Sequence, residues 1–229
     1  YQKRLQGDEF TEWFNTFAPE GRAPRAGELV RLPGHGKSLR QIAETMGEAF
    51  YKGEIAERLD VFSRQYGGFL RATDLERYEA EWVEPISTEY RGLEVWEIPP
   101  NGQGIVALMA LNILKGFEFS TDDKNSPLTY HRQIEALKLA FAAAQSTVTD
   151  PRYMEVTVEE LLSDAWADEQ RRSIGSSALM PPRSEETKGG TVYLAAADTD
   201  GNMVSLIQSN YMGFGSGLVV PGTGVALHN

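Results

Sequence analysis

Apolar residues in the first two-thirds of the chain recur at three- and four-residue intervals, the spacing that lines one face of a helix. Leu39, Ile42, Ala43, Met46 and Phe50 follow it and predict a helix over 39–50. A second helix is predicted over 55–66, closed by Gly67-Gly68, where glycine supplies the left-handed conformation that ends a helix. "RATDLERYEAEW" opens a third, short helix with Thr73 or Asp74 as its N-cap. Residues 87–100 read as extended, with Leu93, Val95 and Ile98 facing a core and Pro99-Pro100 ending the stretch. Helices follow over 103–115 and 127–144, the latter with Ile134, Leu137, Ala140 and Phe141 on one face. Residues 157–174 read as two short helices.

The texture then changes. "SSALMPPRSEETKGG" (176–190) is polar and carries Pro and Gly, which predicts an exposed, mobile linker. Residues 191–229 are poor in charge and rich in Gly and β-branched side chains. Strands are predicted over 191–198 and 203–210, joined at Asp200-Gly201-Asn202, with two more near 217–220 and 224–228. The chain thus reads as a mostly helical portion, 1–190, and a β portion, 191–229.

Composition removes several function classes. A chain of 229 residues can bury a sizeable core. Its formal charge of −11, with no basic cluster, argues against binding a nucleic-acid backbone. Cysteine is absent, which excludes disulfides, thiolate nucleophiles and cysteine metal sites and leaves a periplasmic, secreted or cytoplasmic setting open. His35, His131 and His228 stand far apart in no metal-ligand spacing, so no metal or cofactor is expected. The longest apolar run, "GIVALMALNIL" (104–114), is too short to span a bilayer. The chain starts at Tyr1 and stops at "GTGVALHN" as a strand is forming, which predicts a stretch of a longer protein.

Two glycine motifs invite chemistry and fail on spacing. "GHGKS" (34–38) lacks the first glycine of a phosphate loop, which would fall at Arg31, and is expected to be a loop leading into a helix. "GFGSG" (213–217) would need glycine at Leu218 for a dinucleotide loop, or at Phe214 for a serine elbow centred on Ser216, and is expected to be a tight turn. Glu44, Glu48, Glu54 and Glu57 lie at helical spacings and read as a solvated face.

Thr191 is a different case. It follows Gly189-Gly190 at the mouth of a strand. A threonine made N-terminal by chain cleavage carries its own nucleophile, the hydroxyl, and its own base, the α-amine. Gly-Gly leaves the preceding carbonyl open to attack by that hydroxyl. The plainer alternative is a β-branched residue opening a strand after a turn, and local chemistry leaves both open.

"TVYLAAADTDGNMVSLIQSNYMGFGSGLVVPGTGVAL" resembles the opening of the small subunit of the γ-glutamyltransferases (γ-glutamyltranspeptidases), which are N-terminal nucleophile hydrolases. The matching parts are Thr191, Asp198-Thr199-Asp200-Gly201-Asn202 and Phe214-Gly215-Ser216-Gly217, at gap-free spacing. "FYKGEIAERL", "EALKLAFA" and "DPRYMEV" are similar to successive blocks of the large subunit, so the resemblance runs from about residue 29 to 229.

The resemblance implies an α+β chain forming part of an αββα four-layer sandwich. It implies autocleavage between Gly190 and Thr191, a portion of the large subunit over 1–190, and an associated small subunit starting at 191. It implies Thr191 as nucleophile and Ser209, where the family has a second threonine, as the hydroxyl that orients it. The expected substrate is a γ-glutamyl amide, with the acyl group passed to water or an amine. Other family site residues are expected outside 1–229.

The chain departs from the family at Tyr211, where an asparagine near the substrate's amino-acid head is usual. A phenol cannot reproduce an amide's paired donor and acceptor. That pattern is similar to the cephalosporin-acylase-like branch and raises a glutaryl-type acylase as the alternative. An uncleaved, catalytically silent module is the alternative from another class.

Overall fold

The computed structural model describes residues 3–120, 124–180 and 191–229. They are mixed helix and sheet, each sheet a two-stranded antiparallel hairpin. The chain divides into two compact units, Tyr1–Ala80 with Glu185–Asn229 and Glu81–Ser184.

The first unit opens with α1 (Thr11–Phe17) and α2 (Pro33–Glu44). The helix expected over 39–50 is instead two, because Met46 and Gly47 take positive φ of 53° and 94° and break it before α3 (Glu48–Tyr51). Helix α4 (Glu54–Gln65) matches its expected span, and Gly67 ends it at φ 72°. In α5 (Ala72–Glu76) the N-cap is Arg71. Asp74 sits three residues inside, where its carboxylate accepts the Arg71 N–H at 2.8 Å. Asp74 therefore satisfies an orphan donor of the first turn from within the helix.

"GHGK" turns out to be helical, lying in the first turns of α2. Its small residues have a packing reason. A Cβ on Gly34 would stand 3.1 Å from the Gly224 nitrogen, and the buried Ser38 hydroxyl donates to the Thr223 carbonyl at 2.7 Å. The motif lets a helix lie against the backbone of the 222–224 turn.

The strands β3 (Thr191–Ala197) and β4 (Met203–Ser209) form the second hairpin of the chain. The pairing expected between 217–220 and 224–228 is reduced to a single bridge, Val219 with Ala226, flanked by hydrogen bonds between Leu218 and Leu227 and between Val220 and Val225. Val219 and Val220 are fully buried and point into different clusters. Val219 packs with Leu5, Trp13 and Ala18, and Val220 with Ile55, Leu59 and Phe62 of α4. Alternation along an extended segment thus fastens it on both sides.

In the second unit, residues 87–100 are not one extended run. They form β1 (Ile86–Tyr90) and β2 (Leu93–Glu97), turned at Arg91-Gly92 with φ of 54° and 82°. Two positive φ values suit the right-handed twist of a tight hairpin. Helix α6 (Gly104–Leu114) is apolar on all sides and buries Ile105, Leu108, Met109 and Ile113 fully. Around it pack α7 (Pro127–Thr147) and α9 (Asp164–Ser173), with α8 (Val158–Leu161) beside α9.

The buried stripe of α7 is Ala136, Ala140 and Ala144, whereas Ile134, Leu137 and Phe141 are substantially exposed. Small side chains let the α6 and α7 backbones approach closely, and that overrides the larger apolar residues expected to face inward. The described start of the expected mobile linker is also tied down. Leu179 N–H donates to buried Glu135 at 3.0 Å, its carbonyl accepts from Lys138, and His131 bonds the Gly175 carbonyl at 2.8 Å. Residues 181–190 lie outside the described residues. No described helix is long and apolar enough to cross a membrane.

Candidate active site at the open end of the β3–β4 hairpin

Asp198 makes the closed end of the hairpin. Its carboxylate accepts the N–H groups of Asp200 and Asn202 at 3.0 and 2.9 Å and the Asn202 side-chain amide at 2.8 Å. Those donors, the Asn202 amide foremost, hold the carboxyl below its usual range. With the turn pinned, register is fixed along the ladder from Ala197–Met203 to Thr191–Ser209.

Residues directly opposite in an antiparallel pair share a face, so register alone puts the Thr191 and Ser209 side chains together. Their hydroxyl oxygens are 3.0 Å apart, hydrogen-bonded across the open end. The Tyr211 N–H donates to the same Ser209 Oγ at 2.9 Å, a local turn that sets the serine rotamer. Tyr211 has φ 67°, a left-handed conformation uncommon for a tyrosine. Gly190, the other half of the expected cleavage bond, lies outside the described residues.

The segment after Tyr211 is held by its glycines and by Phe214. Gly213, Gly215 and Gly217 all have positive φ, and a Cβ on Gly215 would meet the Leu227 carbonyl at 2.2 Å. Phe214 packs on Trp13 and Phe17 of α1, with ring centroids 5.2 and 4.7 Å away. This is a tight, anchored turn, as its composition predicts.

Ser216 N–H and the Leu218 and Leu227 pairing then bring the chain back, and Asn229 Oδ1 accepts the Met212 N–H at 3.0 Å. The return leaves the His228 ring 6.2 Å from the Tyr211 ring, tilted by 34°. His228 carried no motif in the sequence. The return pairing of 216–220 with 225–227 and the Met212–Asn229 contact, which spacing does not reveal, place it there.

A family model for gamma-glutamyltranspeptidase matches residues 1–229. The chain belongs to the γ-glutamyltranspeptidase family. Among curated relatives of this family member, it is 37% identical over 213 residues to the glutathione hydrolase-like YwrD proenzyme of Bacillus subtilis, covering 93% of this chain and 40% of that protein. It is 34% identical to the oxamate amidohydrolase proenzyme of Klebsiella pneumoniae, with the same coverage of both chains. Among solved structures, the cephalosporin acylase of Bacillus halodurans is 57% identical with a TM-score of 0.89, over 99% of this chain and 41% of that one. The chain therefore spans about 40% of the length of the relatives it matches.

Proposed function

We propose that Thr191 is the nucleophile of an amide-cleaving acyltransferase, freed as an N-terminus by autocleavage after Gly190. The observation that carries this is the 3.0 Å contact between the Thr191 and Ser209 hydroxyls at the open end of a register-locked hairpin. That the Bacillus and Klebsiella relatives are named proenzymes supports the cleavage step.

In the first reaction the Thr191 hydroxyl attacks the Gly190 carbonyl carbon. The acyl group shifts from nitrogen to oxygen, and water hydrolyses the resulting ester. This frees the Thr191 α-amine, whose ordinary pKa of roughly 7.7–8.0 suits a proton shuttle near neutral pH. In the second reaction Thr191 Oγ1 attacks the carbonyl of a side-chain amide such as a γ-glutamyl amide, and its proton passes to the amine. The tetrahedral intermediate expels the leaving amine, which takes that proton, and leaves an acyl ester on Thr191. Water or an acceptor amine then removes the acyl group. Ser209 orients the nucleophile throughout. The hairpin would occupy the middle of a four-layer αββα sandwich in the whole protein, which would cover its two open faces.

A second reading, a glutaryl-type acylase, is favoured by the phenol at Tyr211 and by the likeness to a cephalosporin acylase. Steady-state rates of the full-length protein on γ-glutamyl and glutaryl anilides separate the two. A denaturing gel tests what they share: two subunits are expected, and Thr191→Ala should merge them into one band. A single band in the unaltered protein would instead identify a silent, uncleaved module.

A further inference from the structure

The link from β2 to α6 carries reactive groups that the chemistry above does not use. Asn101, Gly102 and Gln103 lead into Gly104, the first residue of α6. All three are exposed and belong to no helix or strand. Among the described residues, no hydrogen bond engages the Asn101 side chain or the Gly102 N–H. Asn101 is also the one asparagine of the sequence that is followed by glycine.

The covalent chain itself sets the geometry. Attack of the Gly102 nitrogen on the Asn101 side-chain carbonyl carbon closes a five-membered ring through Cβ, Cα and the main-chain carbonyl carbon. Glycine, which has no Cβ, gives that nitrogen the backbone freedom to reach its target. The structure withholds the comparable groups elsewhere. Asp200-Gly201 has the same ring-closing spacing, but the Gly201 N–H donates to the Asp198 carbonyl at 3.3 Å. The Asn202 amide donates to Asp198 at 2.8 Å, and the buried Asn112 amide donates to the Leu162 carbonyl at 2.6 Å. Asn125 accepts the Tyr130 hydroxyl, and the nitrogen that follows Asn210 donates to Ser209 Oγ.

We propose that Asn101 is a self-modification site, deamidated by the nitrogen of its own neighbour without a partner enzyme. The Gly102 nitrogen forms a bond to Asn101 Cγ as the bond from Cγ to Nδ2 breaks. Nδ2 leaves as ammonia, carrying the proton that Gly102 gives up. Water then opens the cyclic imide. Entry at the side-chain carbonyl gives aspartate, and entry at the main-chain carbonyl gives isoaspartate, with one more carbon in the backbone. The new carboxylate stands in water, so it carries no burial cost. The chain gains one negative charge where β2 passes into the core helix. The site is independent of Thr191.

The test incubates the full-length protein in mildly alkaline buffer, which favours loss of the Gly102 proton, and maps its peptides by mass spectrometry. Residue 101 should change from amide to acid, as aspartate and isoaspartate, at least about tenfold faster than any other asparagine. Gly102→Ala should slow the change by about tenfold, because a side chain restricts the backbone that delivers the nitrogen. That variant should fold, since Gly102 is outside the left-handed region and a Cβ there meets nothing within 4 Å. Asn101→Gln enlarges the ring and should abolish the new charge on ion exchange. The same protein unfolded in urea gives the rate of the free chain. Asn101 remaining an amide in the folded protein while the unfolded chain converts, an equal pace at all asparagines, or a rate unaltered by Gly102→Ala would overturn the assignment.

Discussion

Helix α6 buries Ile105, Leu108, Met109 and Ile113 to 0% exposure, whereas no residue of the β3–β4 hairpin is buried. Both are strongly apolar. In α6 the apolar residues meet α7, α9 and β1 and close a core within a single unit. In the hairpin, Val192, Tyr193, Leu194, Val204, Leu206 and Ile207 stand open on both faces, and order comes from a pinned turn and backbone register. The contrast separates two jobs. The helical core holds its shape by packing and carries no candidate chemistry, while the hairpin carries the candidate hydroxyls of Thr191 and Ser209 and contributes little burial of its own.

If that division holds, damage to each region should show in a different measurement. The largest effect is expected at Thr191. Thr191→Ala should abolish subunit cleavage and lower turnover by at least about a thousandfold, as removal of a nucleophile does, with the unfolding temperature nearly unchanged. Turnover surviving within tenfold of the unaltered protein would remove the chemistry from the hairpin.

Next is the core. Met109→Ala should destabilise the protein by about 2–5 kcal/mol, the cost of a cavity left by a fully buried large side chain, measured by urea denaturation. Its kcat on the best anilide substrate should stay within about twofold where the protein remains folded. A change in kcat as large as that at Thr191 would merge the two jobs.

The same contrast explains what was legible in the sequence. Helix α6, helix α4 and the β3–β4 hairpin follow from periodicity and turn residues because their signals are local. The inward face of α7 did not, because what selects it is the close approach of α6. That approach favours Ala136 and Ala140 over the larger Ile134 and Phe141. The break at Met46-Gly47 and the turn at Arg91-Gly92 rest on backbone conformations that single residues only weakly announce. At the candidate site, Thr191, Ser209 and Tyr211 were marked by resemblance; register explains why Thr191 meets Ser209, and a local turn brings the Tyr211 N–H to the same Ser209 oxygen. His228 was invisible because its position depends on the fold of the seventeen residues that separate it from Asn210.

A third, smaller effect sharpens the role of register. Ser209→Ala removes the hydroxyl that meets Thr191 and accepts the Tyr211 N–H. It should lower kcat by about 10- to 100-fold, with KM changed less, because one orienting hydrogen bond is lost and the nucleophile stays. Ser209→Thr should restore most of the rate, since the hydroxyl is kept on a strand that favours β-branched residues. An Ala variant with unaltered kcat would leave the pairing a structural contact only.

The smallest effect lies on the helical side, at Glu135. Burial pushes its carboxyl up, and Lys138 and the Leu179 N–H pull it further down, so the net shift is below the ordinary carboxylate value. A depressed carboxyl contributes stability above its unfolded pKa, and that contribution fades as pH falls through the folded value. The second unit should therefore lose stability on the acid side, and Glu135→Gln should flatten that limb because a neutral amide has no proton to gain. Stability near pH 7 should fall by about 1 kcal/mol or less, since an amide still accepts the Leu179 N–H and only the charge facing Lys138 is lost. Cleavage and turnover at Thr191 should not follow the change. An acid limb in the unfolding temperature that is identical in the two proteins would show that the ionisation of Glu135 is not what costs the second unit its stability on the acid side.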